Sequence, residues 1–152
     1  MPILLAFLAC EKIIFEEDTK KATIVNVLHD VYVPVIRSVQ IPPNTLAPLS
    51  WTAFSIWYIS PSDGADWWEQ KAVLVGENGE WLMESMPVRF QMTHPVMRAV
   101  TPFYNFPVYR EAQCLLKLYT RNLGTLPDAV NMVQWNEIMV YPISLHHTFY
   151  PT

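Results

Sequence analysis

The sequence predicts an all-β protein, a single antiparallel β-sandwich of about eight strands with one long irregular loop, formed by residues 1–152 as one domain. Segments rich in β-branched and aromatic residues alternate with short polar or proline-containing segments along the chain. The chain has 13 prolines and 4 glycines, and each proline removes a backbone donor. Long helices are therefore disfavoured, and strands joined by turns are expected.

An apolar segment at the start of the chain predicts the hairpin that begins the sheet. Ile3 to Phe15 forms one strand, Glu16 to Lys21 is the charged turn, and Ala22 to Leu28 returns beside the first strand. The proline-punctuated segment that follows contains Val35 to Ile41, for which a short edge strand is expected. An edge strand tolerates prolines because its outward-facing donors need no partner.

The middle of the chain predicts three more strands. Trp51 to Ile59 is apolar on both faces, which is typical of a central covered strand or of a strand at an interface. Trp67 to Val75 and Trp81 to Met92 flank Asn78-Gly79, the strongest hairpin signal in the sequence, and a type I′ turn is expected there. Pro87 predicts a bulge or a break in the returning strand.

The last third of the chain combines the least regular segment with two clear strands. Thr93 to Val108 contains prolines at 95, 102 and 107, so a long packed loop is expected. Arg110 to Thr120 alternates between inward apolar and outward polar residues, and Asn122 to Asp128 predicts a turn. Trp135 to Leu145 is the expected closing strand, with a short tail after it. The inward residues of the first of these strands are Ala112, Cys114, Leu116 and Leu118.

Four segments in the opening third of the sequence form a recognisable pattern: Ala9-Cys10-Glu11, Asp18-Thr19-Lys20-Lys21, the aliphatic run Ile24 to Val27, and Asp30 to Pro34. In this pattern the chain resembles a family of small, uncharacterised bacterial β-sandwich proteins. The later strand pattern is compatible with this family along most of the chain. The resemblance implies a sandwich fold and no catalytic activity.

The charge content limits the classes of partner. Hydrophobic residues make up 51% of the chain and charged residues 16%, below the globular average of about 25%. Either the surface is rich in uncharged polar and aromatic residues, or another chain covers part of it. The net charge of -4 and the lack of a basic run argue against a nucleic-acid partner.

Two cysteines cannot form a disulfide framework. Cys10 and Cys114 each lie in an apolar strand and are expected to be buried thiols, while the possibility that they pair remains open. A cytoplasmic protein is therefore expected. Leu4 to Cys10 resembles the end of a lipoprotein signal, but no Lys or Arg precedes it, and no apolar run has the length of a membrane span. No membrane partner is expected.

No residue pattern predicts catalysis, a cofactor or a metal site. Asp63 and Asp66 share one loop, but calcium requires about six or more oxygen ligands. The adjacent residues His146 and His147 point to opposite faces of a strand. Cys114 is in mid-strand, where burial makes a thiol unreactive. No enzymatic motif is present.

The six tryptophans are the unusual feature from which a function can be predicted. We expect a non-enzymatic protein that acts through an apolar protein–protein surface, as a homo-oligomer or with a partner protein, in a bacterial or phage assembly. The alternative is a module that binds carbohydrate or another small ligand by stacking on exposed tryptophans. A hydrolase is the third alternative. The candidate interaction surface consists of Trp51, Trp57, Trp67, Trp68 and Trp81.

Overall fold

The computed structural model describes residues 2–19, 21–36, 40–60, 62, 65–91, 93–125 and 133–149. It is all-β with several sheets, one of which is strongly curled, and no α-helix occurs among these residues. The expected sandwich of about eight strands is not confirmed, because the described residues form twelve strands in three sheets. The strands are β1 Ile3–Phe15, β2 Ala22–Val27, β3 Asp30–Val35, β4 Leu46–Ala47, β5 Trp51–Tyr58, β6 Trp67–Val75, β7 Trp81–Glu84, β8 Val88–Gln91, β9 Val96–Phe103, β10 Phe106–Pro107, β11 Ala112–Gly124 and β12 Asn136–Phe149.

Two large sheets and one small sheet make up the architecture. The four-stranded sheet has the order β2-β1-β5-β9, and the two-stranded sheet pairs β10 with β4. The six-stranded sheet has the order β3-β12-β11-β6-β7, with β8 also paired to β6. Only β3 and β12 pair in parallel, whereas the other described strand pairs are antiparallel.

The opening hairpin is confirmed. β1 and β2 pair antiparallel with Ile13 opposite Ile24, and β1 also pairs with β5 along its first part. The Trp51 segment is confirmed as a central strand, since β5 lies between β1 and β9 and is mostly buried. The edge strand after the hairpin lies earlier than expected, as β3, because Val31, Val33 and Val35 alternate inward. Residues 37–39 of the expected edge strand lie outside the described residues.

The hairpin at Asn78-Gly79 is confirmed, but its turn is not type I′. The amide of Gly79 donates to the carbonyl of Gly76 at 3.0 Å, and the amide of Gly76 donates to the carbonyl of Glu80 at 2.9 Å. Gly79 has a φ of 80°, whereas Asn78 is not among the described residues with positive φ. This is a type I turn followed by a glycine bulge, which adds a residue to the loop and accounts for the register shift at Val75.

The break at Pro87 is also confirmed. The returning chain forms two short strands, β7 and β8, which pair with successive parts of β6. Between them Ser85 stays attached to β6: its amide donates to the carbonyl of Ala72, and its hydroxyl accepts from the amide of Ala72, both at 2.9 Å. The interruption therefore costs few backbone hydrogen bonds.

The expected loop from Thr93 to Val108 is wrong. Eight of its residues form β9, which pairs with β5 along its full length, and Phe106–Pro107 form β10. Pro102 within β9 is tolerated because β9 is the outer strand of its sheet, where an outward-facing position needs no donor, while Pro95 precedes the strand and Pro107 lies in β10. Its inward residues include Ala99 and Thr101, whose small side chains hide the alternation in the sequence.

The end of the chain is more regular than expected. β12 continues to Phe149, so the predicted tail, including His146 and His147, is part of the strand and pairs with β3. β11 continues to Gly124, so the predicted turn begins later than expected, and residues 126–132 lie outside the described residues. Cys114, Leu116 and Leu118 are buried as expected.

Both large sheets contribute side chains to the same core. The larger cluster joins residues of the four-stranded sheet to residues of the six-stranded sheet, and a smaller cluster joins β5 and β9 to β8 and β11. The two sheets therefore pack with their inner faces together. Members of the larger cluster include Ala9, Trp51, Ala53 and Phe103 from one sheet, and Val31, Leu74, Cys114, Leu116 and Ile143 from the other.

A buried polar network connects the two sheets. The side-chain oxygen of Gln70 accepts from the Ser55 hydroxyl at 2.9 Å and from the Trp57 indole N–H at 3.1 Å. Its side-chain nitrogen donates to the Thr101 hydroxyl at 3.1 Å. The indole N–H can only donate, so it fixes which end of the Gln70 amide faces β5. One glutamine of β6 thus satisfies groups on β5 and β9.

No helix among the described residues is long and apolar enough to cross a membrane.

Substitution of Gly79 by valine should destabilise the fold by about 1 kcal/mol or more, because a β-branched residue is strained at positive φ. A Cβ at this position would meet no atom within 4 Å, so the effect would come from the backbone alone. Gly79→Asn is the control and should cost less, since asparagine tolerates this conformation. Thermal melts measure both variants, and equal melting temperatures for Gly79→Val and the wild type would contradict the turn.

Substitution of Gln70 by methionine should lower the free energy of unfolding by roughly 2 kcal/mol or more. The change keeps the side-chain length but removes the amide that bonds to the Ser55 and Thr101 hydroxyls, and it leaves the Trp57 N–H with the Ser55 oxygen at 3.0 Å in place of two acceptors. Gln113→Met, at an exposed position of β11, is the matched control and should change stability by less than about 0.5 kcal/mol. Urea denaturation compares the two, and similar midpoints would mean that the network does not stabilise the contact between the sheets.

Candidate ligand-binding groove

An open groove of about 910 Å³ lies between the small sheet and the end of the six-stranded sheet. Its walls are residues 41–46, 80–83 and 107–110 together with His147. Ligand sites in proteins typically enclose about 300–1,000 Å³. The groove is therefore large enough for a small molecule.

Short strand pairings hold the walls of the groove in place. β4 and β10 pair through Leu46 with Pro107, and the Val108 amide donates to the Thr45 carbonyl at 2.8 Å. The opposite wall follows the Gly76–Gly79 turn, which directs the chain into β7. The turn that the sequence predicts thus positions one wall, and the proline-rich segment forms the other.

Trp81 is the exposed aromatic residue of the groove. It follows the glycine bulge at the start of β7, lies opposite Val75, and is 63% exposed. The Lys71 ammonium lies 5.4 Å from the centroid of the indole ring, a cation–π distance. The indole is therefore held in place while much of its surface faces solvent.

Glu80, Tyr109 and Arg110 form a charged cluster in the groove. The Tyr109 hydroxyl donates a hydrogen bond to Glu80, and Arg110 Nη2 lies 3.7 Å from Glu80 Oε1 and 3.6 Å from Glu77 Oε2. The hydrogen bond from Tyr109 lowers the pKa of Glu80 below its usual value, and the same bond raises the pKa of Tyr109. Glu80 is therefore ionised at neutral pH.

Gly76 makes the approach of Glu80 to Tyr109 possible. A Cβ at Gly76 would lie 2.8 Å from Glu80 Cδ and 2.9 Å from the Tyr109 hydroxyl oxygen, closer than such contacts allow. A side chain at this position would displace one of the two groups. The sequence alone gives no sign of this requirement, because it depends on a contact between β10–β11 and the β6–β7 turn.

His147 lines the groove and bonds to the chain segment that contains Tyr109 and Glu111. Its Nε2 lies 2.6 Å from the Tyr109 carbonyl oxygen, and its amide donates to Glu111 Oε1 at 2.7 Å. His146 faces the other way, with Nε2 2.9 Å from Asp30 Oδ1 and its ring stacked on Tyr32. The two histidines point to opposite faces, as expected for neighbours on a strand.

The five tryptophans of the expected interaction surface do not lie together. Trp51 and Trp57 are buried, with 1% and 3% exposure, because β5 is the strand that both sheets cover. Trp67 and Trp68 are half-buried, and Trp68 packs against the smaller core cluster. Only Trp81 of this set is largely exposed. Trp51 and Trp57 are therefore core residues in the folded chain, and the set does not form one surface.

Sequence reasoning missed the polar residues beside Trp81. Glu80, Tyr109 and Arg110 come from two distant parts of the chain, and the second part falls beside a segment whose strands were predicted as a loop. The Asn78-Gly79 turn signal does indicate that Glu80 and Trp81 lie together at the start of the returning strand. Nothing in the sequence pairs either residue with Tyr109.

The other sites considered from the sequence stay separate from the groove. Asp66 accepts a hydrogen bond from the Asn122 amide at 3.0 Å, and Asp63 lies outside the described residues. No group of three His, Cys, Asp or Glu residues in the described part of the chain is arranged to hold a metal ion. Cys10 and Cys114 are both buried and unpaired with each other.

No protein-family model matches the chain, and no curated protein is significantly similar to it.

The buried thiols should react slowly in the native protein. Burial raises the pKa of Cys114 to about 11, with the Glu80 charge adding to the effect, and burial also raises the pKa of Cys10. Against a usual value of 9.0, the thiolate fraction of Cys114 at pH 8 falls by about 100-fold. Labelling with a chromogenic disulfide reagent should be at least that much slower than for a cysteine peptide, and should reach two thiols rapidly in denaturant. Rapid native labelling of Cys114 would contradict the structural role.

Proposed function

We propose that the protein is a non-enzymatic binding protein that holds a sugar ring, or a similar uncharged ring with several hydroxyl groups, against Trp81 in the groove. The observation that supports this proposal is that Trp81, which is largely exposed and whose ring contacts Lys71, lines a groove of ligand size together with Glu80 and Arg110. This is the alternative function that the tryptophan content of the sequence predicts.

The stacking surface suits a ring with an apolar face. Trp81 presents a flat surface, and Leu46, Leu82 and Met83 continue the apolar lining of the groove. A sugar ring has C–H groups on its faces and hydroxyls at its edge, so it can stack on the indole while its edge reaches polar groups.

The polar cluster supplies both kinds of hydrogen-bonding group. Glu80 offers carboxylate oxygens and Arg110 offers guanidinium donors, and these charges already compensate each other. A charged ligand would have to compete with this ion pair, whereas a neutral hydroxyl can bond to both members. The cluster therefore favours an uncharged polyol over an anion or a cation.

The chemistry of Glu80 supports binding rather than hydrolysis. A glycosidase acid needs a carboxyl whose pKa is raised so that it is protonated near neutral pH. The bond from Tyr109 lowers the pKa of Glu80 instead.

The two unpaired thiols support the expected cytoplasmic location.

A second candidate function is protein–protein contact through an apolar surface, as a component of a bacterial or phage assembly. The observation that favours it is the number of large apolar side chains that are exposed on β1 and β2. Such side chains are enriched where chains meet. They include Ile3, Leu5, Ile14, Phe15, Ile24 and Val27.

Substitution of Trp81 by alanine tests the ligand-binding proposal. The wild-type chain is titrated with a panel of neutral mono- and oligosaccharides by calorimetry, with tryptophan fluorescence as a second signal. The sugar that binds should lose about tenfold or more in affinity to Trp81→Ala, because the stacking surface is gone. Tyr104→Ala is the matched control, since Tyr104 is an exposed aromatic residue outside the groove, and it should bind like the wild type. Equal affinity for the wild type and Trp81→Ala, or no binding to any neutral sugar, would overturn the proposal.

A further inference from the structure

The free end of the first hairpin is a two-stranded arm, which we define as residues 12–27 with Lys20 outside the described residues. β1 pairs with β5 from Ile3 to Cys10, and with β2 from Cys10 to Phe15. From Lys12 onward, no third strand pairs with the arm within the described residues. An isolated two-stranded hairpin is at best marginally stable in water. The arm therefore needs another contact to be well ordered.

One face of the arm is apolar, and the other carries Ile14 between the charged residues Lys12 and Glu16. Ile13 and Ile24 are directly opposite each other on one face, with Phe15 beside them, while Ile14 lies on the other face. Ile14 is 43% exposed and Phe15 is 48% exposed. None of the described residues of the arm belongs to either core cluster. The arm thus carries core-like side chains with no core of its own.

The two edges of the arm differ in regularity. On β2, Asn26 has a φ of 50°, the register skips it, and its side-chain amide donates to Glu11 at 2.8 Å. An irregular backbone of this kind interrupts pairing with a further strand. On β1, the register is continuous from Lys12 to Phe15. The β1 edge is therefore the one that can accept another strand.

We infer that two copies of the chain associate through this edge, with the β1 strands antiparallel about a two-fold axis at Ile14. In this register Lys12 of one copy lies opposite Glu16 of the other, and this pair occurs twice. Ile13 lies opposite Phe15, and the two Ile14 side chains meet at the axis. Opposite charges at both ends and apolar residues between them make the segment complementary to itself.

The hydrogen-bond pattern of the arm fits the same register. The Glu16 amide donates to the Lys21 carbonyl at 2.9 Å, so Glu16 directs its backbone groups toward β2. Because these directions alternate along an antiparallel strand, Ile13 and Phe15 direct their backbone groups to the free edge. Those are the two residues that the two-fold register places opposite each other. The pairing ends at Glu16, because β1 ends at Phe15 and Glu17 is in the turn.

This inference rests on the second candidate function, contact through an apolar surface, and it names the partner and the register. It does not depend on ligand binding, because no residue of the arm lines the groove. The pairing would join two four-stranded sheets into one continuous sheet and cover the edge of β1 from Lys12 to Glu16.

Charge reversal tests the register. Sedimentation equilibrium should show a dimer of the wild-type chain. Lys12→Glu and Glu16→Lys should each weaken dimerisation by about tenfold or more, since each places like charges opposite each other at both ends of the pairing. The double variant Lys12→Glu/Glu16→Lys restores opposite charges and should recover the wild-type dissociation constant. Asp18→Lys makes the same charge change as Glu16→Lys in the turn outside the pairing, and should dimerise like the wild type.

Each outcome decides between this register and its alternatives. A wild-type monomer up to its solubility limit overturns the dimer and leaves the groove, measured separately with sugars, unaffected. A dimer that neither single variant weakens overturns the arm as the interface, but keeps contact through another apolar surface. A double variant as weak as the single variants overturns the register. Circular dichroism of every variant shows whether a change in mass results from loss of folding. If a charge variant does not fold, Ile14→Asn replaces it as the test of the edge contact and should also give a monomer.

Discussion

The contact between the two large sheets depends on Gln70, a polar side chain that is buried between them. Its side-chain oxygen accepts from Ser55 and Trp57 on β5, and its side-chain nitrogen donates to Thr101 on β9. Gln70 therefore acts as both acceptor and donor toward the facing sheet. A hydrophobic core is non-directional and tolerates sliding of one sheet over the other. A satisfied amide tolerates much less, because any shift leaves buried donors without acceptors. The network therefore fixes how the two sheets are aligned.

The neighbouring residue Glu69 is a second buried polar side chain and lies on the opposite face of β6 from Gln70. Its carboxylate accepts from Arg89 Nε at 2.9 Å and from Arg121 Nε at 2.6 Å. Burial acts to raise the pKa of Glu69, but the hydrogen bonds and charges of the two arginines outweigh it and lower that pKa. Arg121 in turn lies 4.3 Å from the Trp135 ring centroid, beside Lys71, which also contacts Trp81. Four of the charged residues of the chain therefore take part in this cluster: Glu69, Lys71, Arg89 and Arg121.

The alignment of the sheets and the lengths of the strands create two distant features. The alignment brings the β6–β7 turn to the segment after β10, which creates the groove with Glu80 beside Tyr109. Within the four-stranded sheet, β1 has 13 residues and its partner β5 has 8, so the first hairpin extends beyond β5 as the arm. The groove combines aromatic and polar groups, as a ligand site requires, whereas the arm combines exposed apolar side chains with a free edge, as an assembly contact requires. The two proposals therefore concern separate surfaces of one chain.

The sequence by itself determined the features that depend on neighbours in the chain. Alternation, turn residues and proline act over a few positions. They predict the opening hairpin, β5, β6, the turn at Gly79, the break at Pro87 and the inward face of β11.

The tertiary structure decided what depends on distant partners. β9 was missed because its proline, Pro102, is acceptable only at the edge of a sheet, and the sequence does not reveal which strand is at the edge. Trp51, Trp57 and Trp81 look alike in the sequence, and the position of each strand in its sheet decides that the first two fill the core while Trp81 is largely exposed at the groove. Glu80 and Tyr109 meet for the same reason, since a contact across 29 positions depends on how the sheets pack and not on local pattern.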